Sequence, residues 1–373
     1  MDFIRTREGI MDFFGEYPLI AASLRLTMGC NARCKHCYTD GGKRLQNEFA
    51  TEKIKDLLDQ LSNFGVQQVF FTGGEPFLRA DIIEILNYAN EKKFEILIST
   101  NGTLIREDLV SELAHIDFKQ FQVSIDNVGY KHDENRGRGF FVKANAAVDI
   151  LKKYKVKNIT IGTCITKFNL PDIPDILNYV IEKEIDKFAL MLLLPAGRAT
   201  IEMDVDVKEL LYYLDIFWDI YRKNSGKILF AENSVLPPVF VPKDLREKNV
   251  HKQFDMCCSY PNIMGIGADG KVAPCDGFLN WERYISGNVN MESIKEIWIR
   301  MQNSSYIIPR DSLEIEGICS QCIFLESCGG NCRADSVAYY GRINAPYPIC
   351  QKLHEKGLFP KECLRYEKPA ENK

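Results

Sequence analysis

The chain lacks a strong excess of either charge and has no long apolar run. Lysine and arginine total 47 and aspartate and glutamate 51, a net charge of −4, so the protein as a whole is not built to neutralise a nucleic-acid backbone. Its longest apolar stretches, such as 188–195, are too short to cross a membrane. Residues 1–17 carry several charges where an export signal would have an apolar core. We therefore predict a cytoplasmic protein with no nucleic-acid or membrane partner.

Cysteine, in contrast, is abundant. The 373 residues, enough for two to three domains, include 13 cysteines. They are concentrated near the two ends of the chain, and Cys164 alone lies between the two groups, inside an apolar run that predicts a core position. In a cytoplasmic protein such groups favour metal or catalytic sites over disulfides. The sequence therefore predicts two separate metal-binding regions.

The middle of the chain alternates between apolar strands and amphipathic helices. The predicted strands are 23–26, 68–72, 94–100, 118–125, 158–165 and 187–194, and the helices that follow them are 51–64, 81–93, 106–115, 141–154, 172–183 and 208–221. Continuously apolar strands are typical of a parallel sheet that is covered on both faces. Six units are too few to close an eight-stranded barrel. We therefore predict an α/β fold, a partial, open (β/α)6 TIM-like barrel, in preference to a flat doubly wound sheet.

Composition divides the chain into five segments. An N-terminal segment (1–22) precedes the partial barrel (23–205), and a helical or linker bridge (206–255) follows it. Residues 256–352 combine weak apolar periodicity with many cysteines, so this domain is expected to need metal to hold it together. The remaining residues, 353–373, are predicted to be a charged C-terminal tail that carries a free thiol at Cys363.

Polar and glycine-rich segments follow the predicted strands. In parallel α/β folds the carboxyl ends of the strands meet at one rim, and that rim carries the active site. The segments expected there are 30–37, 73–76, Asn101, 124–126, Thr166 and Arg198. Their common location favours an enzyme.

Three cysteines lie close together on the loop after the first strand. Cys30, Cys34 and Cys37 could hold three corners of a [4Fe–4S] cube, and no fourth cysteine is nearby. A cube held in this way keeps one iron open for a ligand. Zinc bound by these cysteines and His36 is the alternative, but His36 is awkwardly placed to close the same tetrahedron. A ferredoxin-type site would need a fourth cysteine followed by proline.

Three short motifs in this half of the chain resemble those of the radical S-adenosylmethionine (SAM) superfamily. The sequence CNARCKHCY (30–38) resembles the family's cluster signature, GGEP (73–76) its motif for the SAM amino group, and SID (124–126) a site that contacts polar groups of SAM. The resemblance implies that the open iron binds SAM. It also implies that one electron, from an external donor of flavodoxin or ferredoxin type, cleaves SAM to methionine and a 5′-deoxyadenosyl radical that abstracts hydrogen from the substrate.

The same resemblance implies a set of SAM-binding residues. Gly73 and Gly74 would let the backbone approach the ligand, and Glu75 would accept from the cationic amine. Alternatively, Arg136 is a solvated loop charge, Asn101 belongs to an Asn-Gly turn, and Arg198 begins a turn. The full set is His36 (through its backbone, near adenine), Gly73, Gly74, Glu75, Asn101, Ser124, Asp126, Arg136 and Arg198.

The cysteines of the second region have a spacing that, by itself, also suits zinc ribbons. Their order resembles the SPASM extension of some radical SAM enzymes, which binds two auxiliary [4Fe–4S] clusters. The resemblance implies that Cys275 and Cys332 hold one cluster together with Cys257, Cys258 or both. The ligands implied for the other are Cys319, Cys322, Cys328 and Cys350. The adjacent pair 257–258 leaves two possibilities open. If one of the two cysteines binds, the first auxiliary cluster keeps an open iron; if both bind, the cluster is closed.

Asp276 directly follows Cys275. Sulfatase-maturating members of the family place an aspartate in this context as a base, and a carboxylate beside an anionic cluster is expected to have a raised pKa. We therefore predict Asp276 as a catalytic base. The alternative is a loop acid that bonds to nearby backbone N–H groups.

Three kinds of function are compatible with these motifs. The leading prediction is an enzyme that oxidises or cross-links a side chain of a peptide or protein, as a peptide maturase or a sulfatase-maturase-like enzyme. Only about twenty residues precede the first strand, too few for a fused peptide-recognition domain, so either a separate leader-recognition chain or recognition within the core is expected. The alternatives are modification of a small molecule such as a haem precursor, and a multi-cluster electron carrier without catalysis.

Overall fold

The computed structural model describes residues 18–224, 227–231, 234–248, 262–304 and 314–365. Its strands are β1 (Ala21–Arg25), β2 (Gln68–Thr72), β3 (Glu95–Thr100), β4 (Gln120–Ser124), β5 (Ile159–Ile165), β6 (Lys187–Leu192), β7 (Leu229–Phe230), β8 (Ile263–Ile266), β9 (Lys271–Ala273) and β10 (Gly287–Asn288). They form one sheet in the order β10-β9-β8-β1-β2-β3-β4-β5-β6-β7. All the pairs from β8 to β7 in this order are parallel, whereas β9 and β10 pair antiparallel.

The helices cover the strands as the apolar periodicity predicts. They are α1 (Thr51–Asn63), α2 (Ile82–Glu91), α3 (Glu107–Leu113), α4 (Tyr130–Arg136), α5 (Phe140–Lys153), α6 (Ile173–Glu182), α7 (Val207–Lys223), α8 (Lys243–Glu247), α9 (Ile294–Gln302), α10 (Leu325–Cys328), α11 (Arg333–Tyr340) and α12 (Pro348–Glu355). In α1 the positions Ile54, Leu57, Leu58 and Leu61 are fully buried. Side chains at this spacing form one apolar stripe along the helix. The burial of each contributes about 1.5–3 kcal/mol to the free energy of folding.

The sheet is open, as predicted, and it is longer than predicted. All six predicted barrel strands are present, but β7 and β8 extend the parallel part at its two edges. The cysteine-rich domain contributes β8, β9 and β10, so its first strands continue the sheet of the barrel. Strands of two to four residues are too short to show a periodicity in the sequence.

The predicted bridge and tail differ from the structure. In the bridge, Trp218 of α7 is buried and donates a hydrogen bond to the carbonyl of Phe240 at 2.9 Å, so this helix belongs to the core. The predicted boundary after residue 352 falls inside α12. Cys363 is fully buried and accepts a hydrogen bond from Arg246 at 3.0 Å. The described part of 353–373 is therefore packed against the rest of the protein, and Cys363 is a free thiol, as predicted, but a buried one.

Helix α4 lies in a segment for which the sequence predicts a loop. Its residues lack an apolar stripe, and glycines with positive φ flank it, Gly129 at 74° and Gly137 at 132°. His132 is its buried residue and faces Phe141 of α5 with the ring centroids 6.0 Å apart. Within the described ranges, no helix is both long and apolar enough to cross a membrane.

Candidate functional site

The loop with the first three cysteines packs tightly against the loop that follows β2. Gly74 N donates to Thr27 O at 2.7 Å and Glu75 N to Gly29 O at 2.8 Å. A Cβ on Gly73, whose φ is 135°, would lie 2.3 Å from Thr27 O, and one on Gly74 would lie 2.2 Å from Gly29 O. The two glycines are therefore required for contact between the loops, whereas the sequence predicted close approach to a ligand.

The thiols of this loop are suited to an iron–sulfur cluster. Cys34 is buried, and Cys30 and Cys37 are half-buried. Burial, followed by the charges of neighbouring groups, raises the pKa of Cys30 to about 11. Ala32 N donates to the sulfur of Cys30 at 3.4 Å. Protonated thiols of this kind become thiolates when a metal centre compensates their charge.

The ring of His36 is engaged by the protein. Its Nδ1 lies 2.6 Å from the amide nitrogen of Asn135, and its Nε2 lies 3.6 Å from Oδ2 of Asp126. Burial lowers the pKa of His36, so the ring is neutral and accepts at Nδ1 from Asn135. This geometry gives both ring nitrogens a polar neighbour and disfavours the interpretation in which His36 completes a zinc site with the cysteines.

Asp126 and Arg136 form a buried ion pair behind the cysteine loop. Arg136 donates from Nε to Oδ2 at 2.6 Å and from Nη2 to Oδ1 at 3.2 Å, and Cys164 N also donates to Oδ1. Burial alone would raise the pKa of Asp126, but the Arg136 guanidinium holds it well below its usual range. Arg136 is thus the last residue of α4 and a partner of Asp126, which corrects its interpretation as a solvated loop charge. The Asp126 side chain is fully buried, and its direct contact with SAM stays a prediction.

His132 makes the stability of this region depend on pH. Burial, followed by the charge of Arg136, lowers the pKa of His132 to about 4, while Nδ1 accepts from Asp126 N at 3.2 Å. The unfolded chain takes up this proton below about pH 6.5. We therefore expect the neutral His132 to contribute up to about 3 kcal/mol to the free energy of unfolding above pH 6.5. This contribution is lost as the pH falls towards 4.

The measurement is denaturant unfolding between pH 4 and pH 7. His132→Gln should flatten the fall in unfolding free energy on acidification. The exposed His115 provides the control, and His115→Gln should keep the wild-type slope. An unchanged slope in His132→Gln would contradict the expectation.

Glu75 connects the loops at the rim through buried hydrogen bonds. Its carboxylate is fully buried and accepts from the Thr100 hydroxyl and from Asn101 N, both at 2.7 Å, and from Phe77 N at 3.1 Å. Burial raises its pKa to about 6. The acceptance of a hydrogen bond from the SAM amine stays a prediction. Asn101 also donates to Asn31 Oδ1 at 2.8 Å, so it contacts the cysteine loop in addition to forming a turn.

Arg198 supports the cysteine loop from the end of β6. It donates to Cys34 O at 2.9 Å, to Gly41 O at 2.8 Å and to Asp40 Oδ1 at 2.6 Å. These bonds use the guanidinium that the sequence reading assigned to SAM or substrate. Ser124 is half-buried at the end of β4, and its hydroxyl has no hydrogen-bond partner among the described residues. Its SAM contact stays a prediction.

The side chain of Asp276 connects the cysteine-rich domain to the barrel. Its Oδ1 accepts from Nε of Arg25 at 2.8 Å, and its Oδ2 accepts from the hydroxyl of Tyr38 at 2.5 Å. Its partners are therefore side chains and not the backbone N–H groups of the alternative. Arg25 and Tyr38 were not predicted as site residues from the sequence. Their positions, at the end of β1 and directly after Cys37, are the signals that could have identified them. The role of Asp276 as a base stays a prediction.

Part of the first auxiliary site is visible in the described residues. Cys275 is buried in an apolar cluster with Phe278 and Ala334, and the half-buried Cys332 packs against that cluster. The structure therefore brings Cys275 and Cys332 to one place. The predicted ligands Cys257 and Cys258 lie outside the described residues.

The second auxiliary set surrounds one cavity. Four cysteines line it: Cys319, Cys322, Cys328 and Cys350. Burial raises the pKa of Cys322 to about 11 and that of Cys328 to about 12. Tyr347 N and Phe324 N donate to sulfurs of this set at 3.3 and 3.4 Å. Four thiols, an apolar lining and N–H donors fit a [4Fe–4S] cluster, whose potential such hydrogen bonds tune.

Comparison with protein families identifies both halves of the chain. Residues 24–180 match the model of the radical SAM superfamily. Residues 257–323 match the model of SPASM, an iron–sulfur cluster-binding domain.

Relatives of known function include enzymes for two kinds of product. An Fe-coproporphyrin III synthase of Methanosarcina barkeri is 30% identical over 354 residues, which cover 89% of this chain and 87% of that protein. The mycofactocin maturase MftC of Mycobacterium tuberculosis is 26% identical over 345 residues, covering 92% and 85% of the two chains.

Solved structures show the same fold. The anSMEcpe structure with bound AdoMet aligns with a TM-score of 0.69 at 21% identity and covers 90% of this chain and 95% of that one. SuiB of Streptococcus suis, bound to precursor peptide SuiA, aligns with a TM-score of 0.69 at 20% identity and covers 89% and 76%. With its cysteine loop, its open parallel sheet and the extent of these matches, the chain belongs to the radical SAM superfamily, as an enzyme with a SPASM domain and [4Fe–4S] clusters.

Proposed function

We propose that this enzyme uses SAM to modify oxidatively, or to cross-link, a side chain of a peptide or protein substrate. The bound cofactors supply the radical chemistry, and the chain binds them, orients them and excludes water. The proposed ligands of the SAM-binding cluster are Cys30, Cys34 and Cys37. Their support is the proximity of the three thiols, whose charges influence one another, on a loop that Arg198 and the glycines of the β2 loop hold in place.

The auxiliary clusters have proposed ligands in the SPASM domain. The four cysteines that line the apolar cavity are proposed to hold one cluster. Cys275 and Cys332 are proposed to hold the other, with Cys257, Cys258 or both completing it. Support for the first set is stronger because every one of its members lines the same cavity.

The charge of the site favours a peptide over a polyanionic small molecule. Three arginines beside the site that are buried or half-buried are each neutralised within the chain: Arg25 by Asp276, Arg136 by Asp126 and Arg198 by Asp40. A porphyrin with several carboxylates needs unpaired cations in its binding site. This pairing is the observation that carries the proposal of a peptide substrate.

The test uses anaerobically reconstituted enzyme with SAM and a low-potential reductant. Synthetic peptides from short reading frames beside the gene are compared with Fe-coproporphyrin, each deuterated at carbon. We expect a peptide to raise 5′-deoxyadenosine formation and to transfer deuterium into it. Deuterium transfer from the porphyrin, with none from any peptide, would contradict the proposal.

Modification of a haem precursor is the second candidate. The observation that favours it is the 30% identity to the Fe-coproporphyrin III synthase over 89% of this chain. If it is correct, the porphyrin arm of the same experiment gives the labelled product.

A further inference from the structure

A basic surface covers the outside of the cysteine loop. We define the basic face as Arg33, Lys35, Lys43 and Arg44, all of which are exposed. It stands out because the chain as a whole has a net charge of −4. Within the described residues, the side chains of Arg33, Lys35 and Lys43 form no ion pair or hydrogen bond, and Arg44 is paired with Glu48 at 3.0 Å.

The basic face is one continuous surface. A Cβ on Gly42 would lie 2.5 Å from Nη1 of Arg33, and a Cβ on Gly29 would lie 2.6 Å from Cγ of Arg44. The two arginine side chains thus lie over neighbouring glycines, which are bridged to each other. Gly42 precedes Lys43 in the chain, so Arg33, Lys43 and Arg44 are neighbours.

This surface adjoins the proposed cluster ligands. Arg33 and Lys35 flank Cys34 in the sequence, and Cys30 N donates to Gly42 O at 2.8 Å. A protein that delivers electrons must bring its redox centre near the cluster, and the basic face offers the outer surface of the same loop. Leu45 follows Arg44, is 40% exposed and adds an apolar contact next to these cations. An apolar contact bordered by polar groups is typical of protein interfaces.

The acids of the loop do not cancel this charge. Glu48 has only 3% of its side chain exposed and accepts from Met28 N, Leu45 N and the Thr27 hydroxyl as well as from Arg44. Asp40 is exposed but is paired with Arg198. An approaching protein therefore meets mainly positive charge, which attracts an acidic partner from a distance.

We propose that the basic face is the docking surface for a small acidic protein that carries one electron, in the manner of a reduced flavodoxin. The inference rests on the proposed function because it requires a reducible cluster at Cys30, Cys34 and Cys37. One electron passes from the flavin hydroquinone to the cluster, which leaves a flavin semiquinone and a cluster reduced by one electron. No atom or bond is exchanged.

The test compares two double variants with the same change of net charge, from −4 to −8. Lys35→Glu/Lys43→Glu reverses the basic face, and Lys208→Glu/Lys223→Glu changes exposed lysines of α7. Stopped-flow absorbance follows reduction of the cluster by flavodoxin hydroquinone, without substrate. At low ionic strength we expect a loss of roughly tenfold or more in the bimolecular rate constant for the first variant and less than about twofold for the second.

Two further measurements separate the possible failures. Photoreduced deazaflavin, a small uncharged reductant, should reduce the wild type and both double variants at similar rates. If it reduces no cluster even in the wild type, both the proposed function and this inference are overturned. If deazaflavin reduces all three proteins but flavodoxin reduces both variants equally fast, only the docking inference fails. The neutral variant Arg33→Gln/Lys43→Gln should show an intermediate loss, and raised salt should slow the wild type most.

Discussion

Replacing Cys34 by alanine is expected to abolish the formation of 5′-deoxyadenosine from SAM. The loop has three thiols, and no fourth cysteine lies near them in the sequence, so a cluster bound here has no spare ligand on the loop. Cys34 is also the buried member of the set, and its carbonyl accepts from Arg198. We expect a loss greater than the roughly 10–100-fold that follows from losing an outer partner of a metal ligand.

The measurement is chromatography of 5′-deoxyadenosine after anaerobic incubation with SAM and reductant, together with iron content and the electron paramagnetic resonance signal of the reduced cluster. Cys164→Ala is the matched control because Cys164 is half-buried in β5 and belongs to none of the proposed ligand sets of the three clusters. The control should keep its iron and its activity. Full 5′-deoxyadenosine formation by Cys34→Ala would refute the proposed cluster site.

The second large effect is expected from Arg136→Leu. This substitution removes the guanidinium that pairs with Asp126, whose side chain is fully buried, and leaves an uncompensated charge in the core. Breaking a buried pair in this way costs about 3–5 kcal/mol of unfolding free energy. The loss should be measurable by denaturant unfolding of the purified protein at pH 7.

A second substitution tests the cause of this loss. Adding Asp126→Asn to Arg136→Leu removes the unpaired charge, and we expect the double variant to recover at least half of the lost unfolding free energy. Arg138→Leu, at an exposed arginine two residues further on, should change the unfolding free energy by less than about 0.5 kcal/mol. Equal destabilisation by Arg136→Leu and Arg138→Leu would show that the ion pair is not important for stability.

The sequence was informative wherever one local pattern determines one local structure. The largely apolar run at 68–72 predicted β2 with its observed bounds, because a parallel strand that is covered on both faces is mainly apolar. The stripe in 51–64 predicted α1 to within one residue for a similar reason. The resemblance to SPASM, and not the cysteine spacing alone, implied the set of four thiols that lines one cavity.

The sequence was least informative about polar partners. The family resemblance implies that Glu75 and Asp126 bind SAM, and Arg198 is predicted to bind it from its place after the sixth strand. Sequence did not reveal their partners within the chain: the first two are fully buried and the third is bonded to the cysteine loop. Arg25 and Tyr38 were missed because their partner Asp276 lies more than two hundred residues away in the chain. A charged side chain contains no local signal for a distant partner.

The sequence by itself determined the chemistry of this protein: the number and spacing of its thiols, the glycines between its loops and the strand–helix alternation that creates a common rim. Only the tertiary structure decided which charges face outward and which neutralise each other. The rim arginines are paired with Asp276, Asp126 and Asp40, whereas the basic face of the cysteine loop stays open. The physical reason is that a buried charge requires a partner, and folding selects that partner by proximity in space and not by position in the chain.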